Sequence, residues 1–203
     1  MMILSRRIFA LGFLALPGCT TLGVLNDALS HLDTYELQPV AFTDQGRRSS
    51  RSLLVLMPTA PAAISTDRIL IRQDPLSVAY LPDARWSDQV PQMLQSVLVR
   101  SLASAGQVGF IGAQRAGPVP DRVLLTRIDA FGVDQQPDGS FLARVSFELT
   151  VLRDRDQRVL GTRRFAHSQT IPDDQSRTIV TALQGQLDGL LSTAVPWVLE
   201  FAV

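Results

Sequence analysis

Few side chains in this sequence carry chemistry that could catalyse a reaction or hold a metal. The two histidines, His31 and His167, lie far apart in the chain. Neither has a Cys, His, Asp or Glu partner at metal-ligand spacing. His167 falls in a predicted strand and reads as solvent-facing. Asp154 and Asp156, and Asp173 and Asp174, are the paired carboxylates that acid–base work would use. The first pair sits in a charged turn. The second opens a predicted helix, where negative charge is favoured by the helix dipole. Gly106, Gly109 and Gly112 have the wrong spacing for a phosphate-cradling loop, and the chain has no lysine to reach a phosphate. There is no Gly-x-Ser-x-Gly elbow. These patterns predict no catalytic residue, no cofactor and no metal. That leaves Cys19, the only cysteine.

Cys19 ends a patterned segment. Arg6 and Arg7 precede an apolar run from Ile8 to Leu16, and Pro17-Gly18-Cys19 follows. A basic start, an apolar core and a small residue before a cut are the parts of a secretory signal. The run is far short of the roughly 20 apolar residues a membrane span needs. A lone cysteine has no disulfide partner, and a free thiol is a liability in an oxidising compartment. Leu16-Pro17-Gly18-Cys19 resembles the lipobox of bacterial lipoproteins. That resemblance implies removal of residues 1–18 as a signal peptide and acylation of Cys19, palmitate included. By the same analogy Thr20, where Asp would signal inner-membrane retention, implies the outer membrane. Ser5-Arg6-Arg7-Ile8-Phe9 is similar to a twin-arginine export motif, with Arg6 and Arg7 as its export residues.

The elements that must position any site follow from composition and pattern. A chain of 203 residues with 46% hydrophobic content suits one domain with a packed core. Of 19 basic residues, all arginine, loss of Arg6 and Arg7 leaves 17 against 19 acidic ones. That balance gives no electrostatic reason to expect nucleic acid. Residues 19–34 read as a lipidated tether and 35–203 as a single domain. Tyr35-Glu36-Leu37, Leu53–Met57 and Asp67–Arg72 read as strands. Asp74-Pro75-Leu76-Ser77 has turn chemistry and leads back through Val78–Leu81, which predicts a hairpin. Asp88 is the expected cap of a helix with Val90, Leu94, Val97, Leu98 and Leu102 on one face and Gly106 as its stop. Val108–Ile111 reads as a short strand. Val123–Val133, Phe141–Val151 and Val159–Ser168 predict a meander, turning at Pro137-Asp138-Gly139 and at Arg153–Gln157. The middle strand alternates strictly, one face to a core and one to solvent or a partner. Asp173 and Asp174 open a last helix with Ile179, Leu183, Leu187, Leu190 and Leu191 as its stripe. Gly185 and Gly189 are expected on a close-packed face, and Pro196 at the helix end. Together these predict an α+β two-layer sandwich, a largely antiparallel sheet with two main helices on one face.

One motif stands out. Tyr80-Leu81-Pro82-Asp83-Ala84-Arg85-Trp86 runs just ahead of the first helix. With the lipobox, Tyr35-Glu36-Leu37, the late meander and a C-terminal helix holding Trp197, it resembles the ABC-type transport auxiliary lipoprotein family. These are periplasmic lipoproteins accompanying MCE-protein transporters of the Pqi and Mla-like kind. The resemblance implies a non-enzymatic auxiliary component moving phospholipid or sterol-like lipid across the periplasm. Its implied partners are an MCE substrate-binding protein and an ABC permease and ATPase, with a homo-oligomer also open. Tyr80, Arg85 and Trp86 have two readings: packing beneath the helix, or a partner-binding patch of types enriched in interface hot spots. Two other function classes stay open. One is an outer-membrane lipoprotein assisting assembly of outer-membrane protein or lipopolysaccharide. The other is a periplasmic enzyme with an unrecognised site.

Overall fold

Strict alternation makes Phe141–Arg153 the middle strand of the longest ladder. Ala143, Val145, Phe147, Leu149 and Val151 are all buried on one face of it. In the computed structural model of the chain, the described residues are 32–43, 48–74, 76–113 and 117–203. The expected signal peptide at residues 1–18, Arg6, Arg7, Cys19, His31, Pro75 and most of the expected tether lie outside them. The elements are β1 (Asp33–Tyr35), β2 (Ser52–Val55), β3 (Arg68–Arg72), β4 (Ala79–Trp86), α1 (Val90–Ser104), β5 (Phe110–Gly112), β6 (Arg122–Gln135), β7 (Phe141–Arg153), β8 (Arg158–Ile171) and α2 (Ser176–Ala202). A short 3-10 turn, Asp154–Asp156, joins β7 to β8.

This is an α+β fold whose sheet is mixed, where sequence alone predicts a largely antiparallel one. The meander β6–β7–β8 and the hairpin β3–β4 are antiparallel. β1 joins β4, β2 joins β5 and β6, and β3 joins β6, all in parallel. Antiparallel neighbours are announced by tight turns. Parallel ones need long crossovers, whose strand partner is chosen by packing. The two turns of the meander show the local logic. Gly139 takes φ 85°, a conformation open to glycine at no steric cost. Asp138 Oδ1 accepts the Ser140 N–H at 2.9 Å and its hydroxyl at 2.7 Å, fixing the turn.

α2 lies against β8, β7, β6 and β4, and α1 against α2, β5 and β2. α1 begins at Val90 with Gln89 as its N-cap and no side-chain cap bond; the expected cap, Asp88, instead accepts the N–H of Gln89 at 2.7 Å. Pro91 falls in the first turn, where no helical N–H is required. Gly106 follows the helix at φ 68°. α2 does not stop at Pro196 but runs through it to Ala202. Pro196 is exposed, so the lost hydrogen bond falls on the solvent side while Trp197, Val198 and Leu199 stay buried. A side chain at Gly185 or Gly189 would meet nothing within 4 Å, so the expected close-packed face is corrected to an open one. The tight approach to α2 lies instead at Gly161 on β8, where a Cβ would stand 2.7 Å from the Phe201 ring. There Phe147, Phe165, Trp197 and Phe201 form a chain of ring contacts with centroids 5.3–5.8 Å apart.

Candidate partner surface

β4 was expected to end at Leu81, but it continues through Pro82, Asp83 and Ala84 to Trp86. Leu70 pairs with Tyr80 and Arg68 with Arg85, so two steps along β3 face five along β4. Such a bulge is where a strand accepts proline. It also separates the three residues singled out in the sequence. Trp86 is 1% exposed and packs edge-on against Phe131 of β6, centroids 5.7 Å apart. It offers no surface to a partner, and the packing reading is the one its position fits. Tyr80 is half-buried; its hydroxyl donates to the Ala63 carbonyl at 3.3 Å, and the Arg68 guanidinium lies over its ring at 5.7 Å. Arg85 is exposed and donates to Thr34 Oγ1 at 3.3 Å. The fold does not bring these three together as one patch.

What it does bring together is the far end of the same hairpin and the β6–β7 turn. Asp74 Oδ1 accepts the N–H groups of Leu76 and Ser77 at 2.8 and 2.9 Å, and its other oxygen accepts the Ser77 hydroxyl. These bonds, the Ser77 hydroxyl first, hold the Asp74 carboxyl below its ordinary pKa. The turn they fix projects Leu76, 98% exposed, with Val78 at 50% beside it. Leu76 is the most exposed large apolar side chain among the described residues, followed by Val119 at 84%. Between this tip and the β6–β7 turn lies an open cleft of about 730 Å³, lined by Arg72, Asp134, Gln136, Leu142 and Arg144 among others. Asp134 is taken by Arg144 at 2.6 Å, and Asp74 by its own turn. Arg72 has no ion-pair partner among the described residues. The cleft therefore presents hydrogen-bonding groups and the Arg72 guanidinium, with the exposed Leu76 on the turn beside it. His167 is exposed on β8, as its predicted strand position suggests.

The chain matches the family model described as "ABC-type transport auxiliary lipoprotein component" over residues 35–194. The chain belongs to that family. Members of the ABC-type transport auxiliary lipoprotein component family are, by that description, lipoproteins that accompany ABC-type transport. Among solved structures, protein XCC0632 from Xanthomonas campestris is 22% identical with a TM-score of 0.72, over 82% of this chain and 94% of that one. The hypothetical protein CT253 from Chlamydia trachomatis is 12% identical with a TM-score of 0.51, over 76% and 98%. At these identities the likeness concerns the fold. Among curated proteins no match was found. Sequence reasoning passed over Arg72, Leu76 and Arg144. The available signal was Leu76 itself, a large apolar residue inside a turn whose other members are Asp, Pro and Ser.

Proposed function

We propose that this family member is a non-enzymatic auxiliary lipoprotein of an MCE-type ABC transporter that moves lipid between membranes across the periplasm. The family match over residues 35–194 carries the reading. The lipobox supports its anchoring: residues 1–18 are the signal, Cys19 carries lipid at the outer membrane, 19–34 tether, and 35–203 form the working domain. The partners are an MCE substrate-binding protein and the ABC permease and ATPase. The exposed Leu76–Val78 tip and the adjoining cleft are the contact surface, because a partner covering them removes apolar surface from water and meets hydrogen-bonding groups beside it. Crosslinking in cells followed by affinity capture tests this. An MCE protein or an ABC permease is expected in the captured material; its absence from crosslinked membranes contradicts the assignment.

A further inference from the structure

The opposite end of β6 carries a different kind of surface. Arg122 on β6 is directly opposite Arg153 on β7, and Arg153 is directly opposite Arg158 on β8. Directly opposed residues stand about 4.5–5.5 Å apart at Cβ, and like charges so placed destabilise a sheet. Arg51, just ahead of β2, and Arg155, in the β7–β8 turn, come to the same place. The resulting cleft of about 580 Å³ is lined by Arg51, Arg122, Arg153 and Arg155 against two aspartates, Asp121 and Asp154, with Val119 and Pro120 at its edge.

The fold neutralises only part of this charge. Arg51 donates to the Val203 carbonyl and Arg122 Nε to the Phe201 carbonyl at 2.8 Å, so the negative end of α2 holds these two in place. Asp121 is already engaged: its Oδ2 accepts from the Ser52 N–H at 2.9 Å and from the Ser52 hydroxyl at 3.2 Å. Arg153 has only a long 3.4 Å contact to Asp156, and Arg155 has no ion-pair partner among the described residues. Burial first, then the neighbouring Arg51 and Arg153, hold Arg122 below the usual arginine pKa. By contrast Arg68 and Arg85, also directly opposed, each find a separate acceptor, Arg68 the Leu81 carbonyl and Arg85 the Thr34 hydroxyl.

We propose that this cleft is a binding site for a phosphate group, free or borne on an ester. Planar guanidinium forks meet phosphate oxygens in pairs. A phosphate dianion would cancel the excess charge that the opposed arginines create. Arg122 forms the fixed floor, with Arg153 at the end of β7 and Arg155 in the turn beside it as further donors. The inference does not depend on the transporter reading.

The test is calorimetric titration of the full chain in detergent with inorganic phosphate and, separately, with dihexanoyl phosphatidic acid, each against chloride at equal ionic strength. Binding above chloride is expected, weakened on the order of tenfold or more in the Arg153→Gln, Arg155→Gln double variant. Binding of phosphate alone assigns the site to a soluble phosphorylated ligand; binding of the lipid, with or without phosphate, assigns it to a headgroup. No heat beyond chloride with either probe, or undiminished affinity in the double variant, overturns the proposal. A second readout keeps folding apart from binding. In chloride alone Arg153→Gln should unfold at or above the wild-type temperature, because it relieves like-charge repulsion. A lower midpoint there would mean that Arg153 serves the fold, and it also overturns the proposal.

Discussion

The two ends of β6 differ in how their arginines are used. At the Gln135 end, Arg144 is matched to Asp134 at 2.6 Å, Asp74 is spent inside a turn, and the features left over are the Arg72 guanidinium and an exposed leucine. At the Arg122 end, arginines oppose one another across the strands and the nearest carboxylate is already bonded. One sheet thus presents a largely charge-satisfied surface with an apolar knob at one pole and a cationic cleft at the other. Even charge overall conceals this, since 19 basic and 19 acidic residues say nothing of placement. Net charge is a statement about the whole molecule, whereas recognition is set where charges fail to pair.

The comparison breaks first if the sheet that separates the poles is loosened. Trp86 rests on Phe131 of β6, and Trp86→Ala should cost about 3–5 kcal/mol of stability, seen as a large fall in unfolding temperature. Leu76→Asp should do the reverse: unchanged unfolding temperature, with partner capture weakened by over tenfold if the tip is an anchor worth about 2 kcal/mol or more. A stable Trp86→Ala together with an unstable Leu76→Asp would invert the assignment of core and surface. Arg144→Ala removes an exposed pair and should change stability by less than about 1 kcal/mol by urea titration.

The smallest effect concerns the turns at the charge-satisfied pole. Asp138 is held below its ordinary pKa by the Ser140 hydroxyl first and its N–H second, and Asp74 likewise by Ser77 and Leu76. A depressed folded pKa adds stability above the unfolded value, about 3.9 for aspartate. That stability is lost as pH falls through the folded value. Ser140→Ala should therefore lower stability slightly at neutral pH, where the depressed pKa contributes, leave it unchanged at pH below the folded value, and so flatten the acid limb of the stability–pH curve. An unaltered acid limb would show that the hydroxyl bond does not persist in solution.

Much of this was legible where the physics is local. The alternation of Phe141–Val151, the stripe Val90–Leu102, Pro91 in a first turn and Pro137-Asp138-Gly139 in a tight turn each depend on near neighbours, and each stands in the fold. What depended on distant packing was not legible. The parallel joins of β1, β2 and β3, the bulge that lets β4 run through Pro82, and the continuation of α2 past Pro196 are decided by elements far away in sequence. The candidate surfaces divide in the same way. The Tyr80–Trp86 motif drew attention by residue type, yet its members divide, Leu81, Ala84 and Trp86 buried and Pro82, Asp83 and Arg85 exposed. The opposed arginines stayed hidden because no sequence spacing announces that Arg122, Arg153 and Arg158 share one row; the strand register alone does.

The central claim, an auxiliary role beside an ABC transporter, is tested most directly by placing a photo-crosslinking residue at position 76 in one cell line and at position 155 in another. The account predicts that position 76 captures an MCE protein or an ABC permease and that position 155 does not. Capture of no transporter component from either position would contradict it.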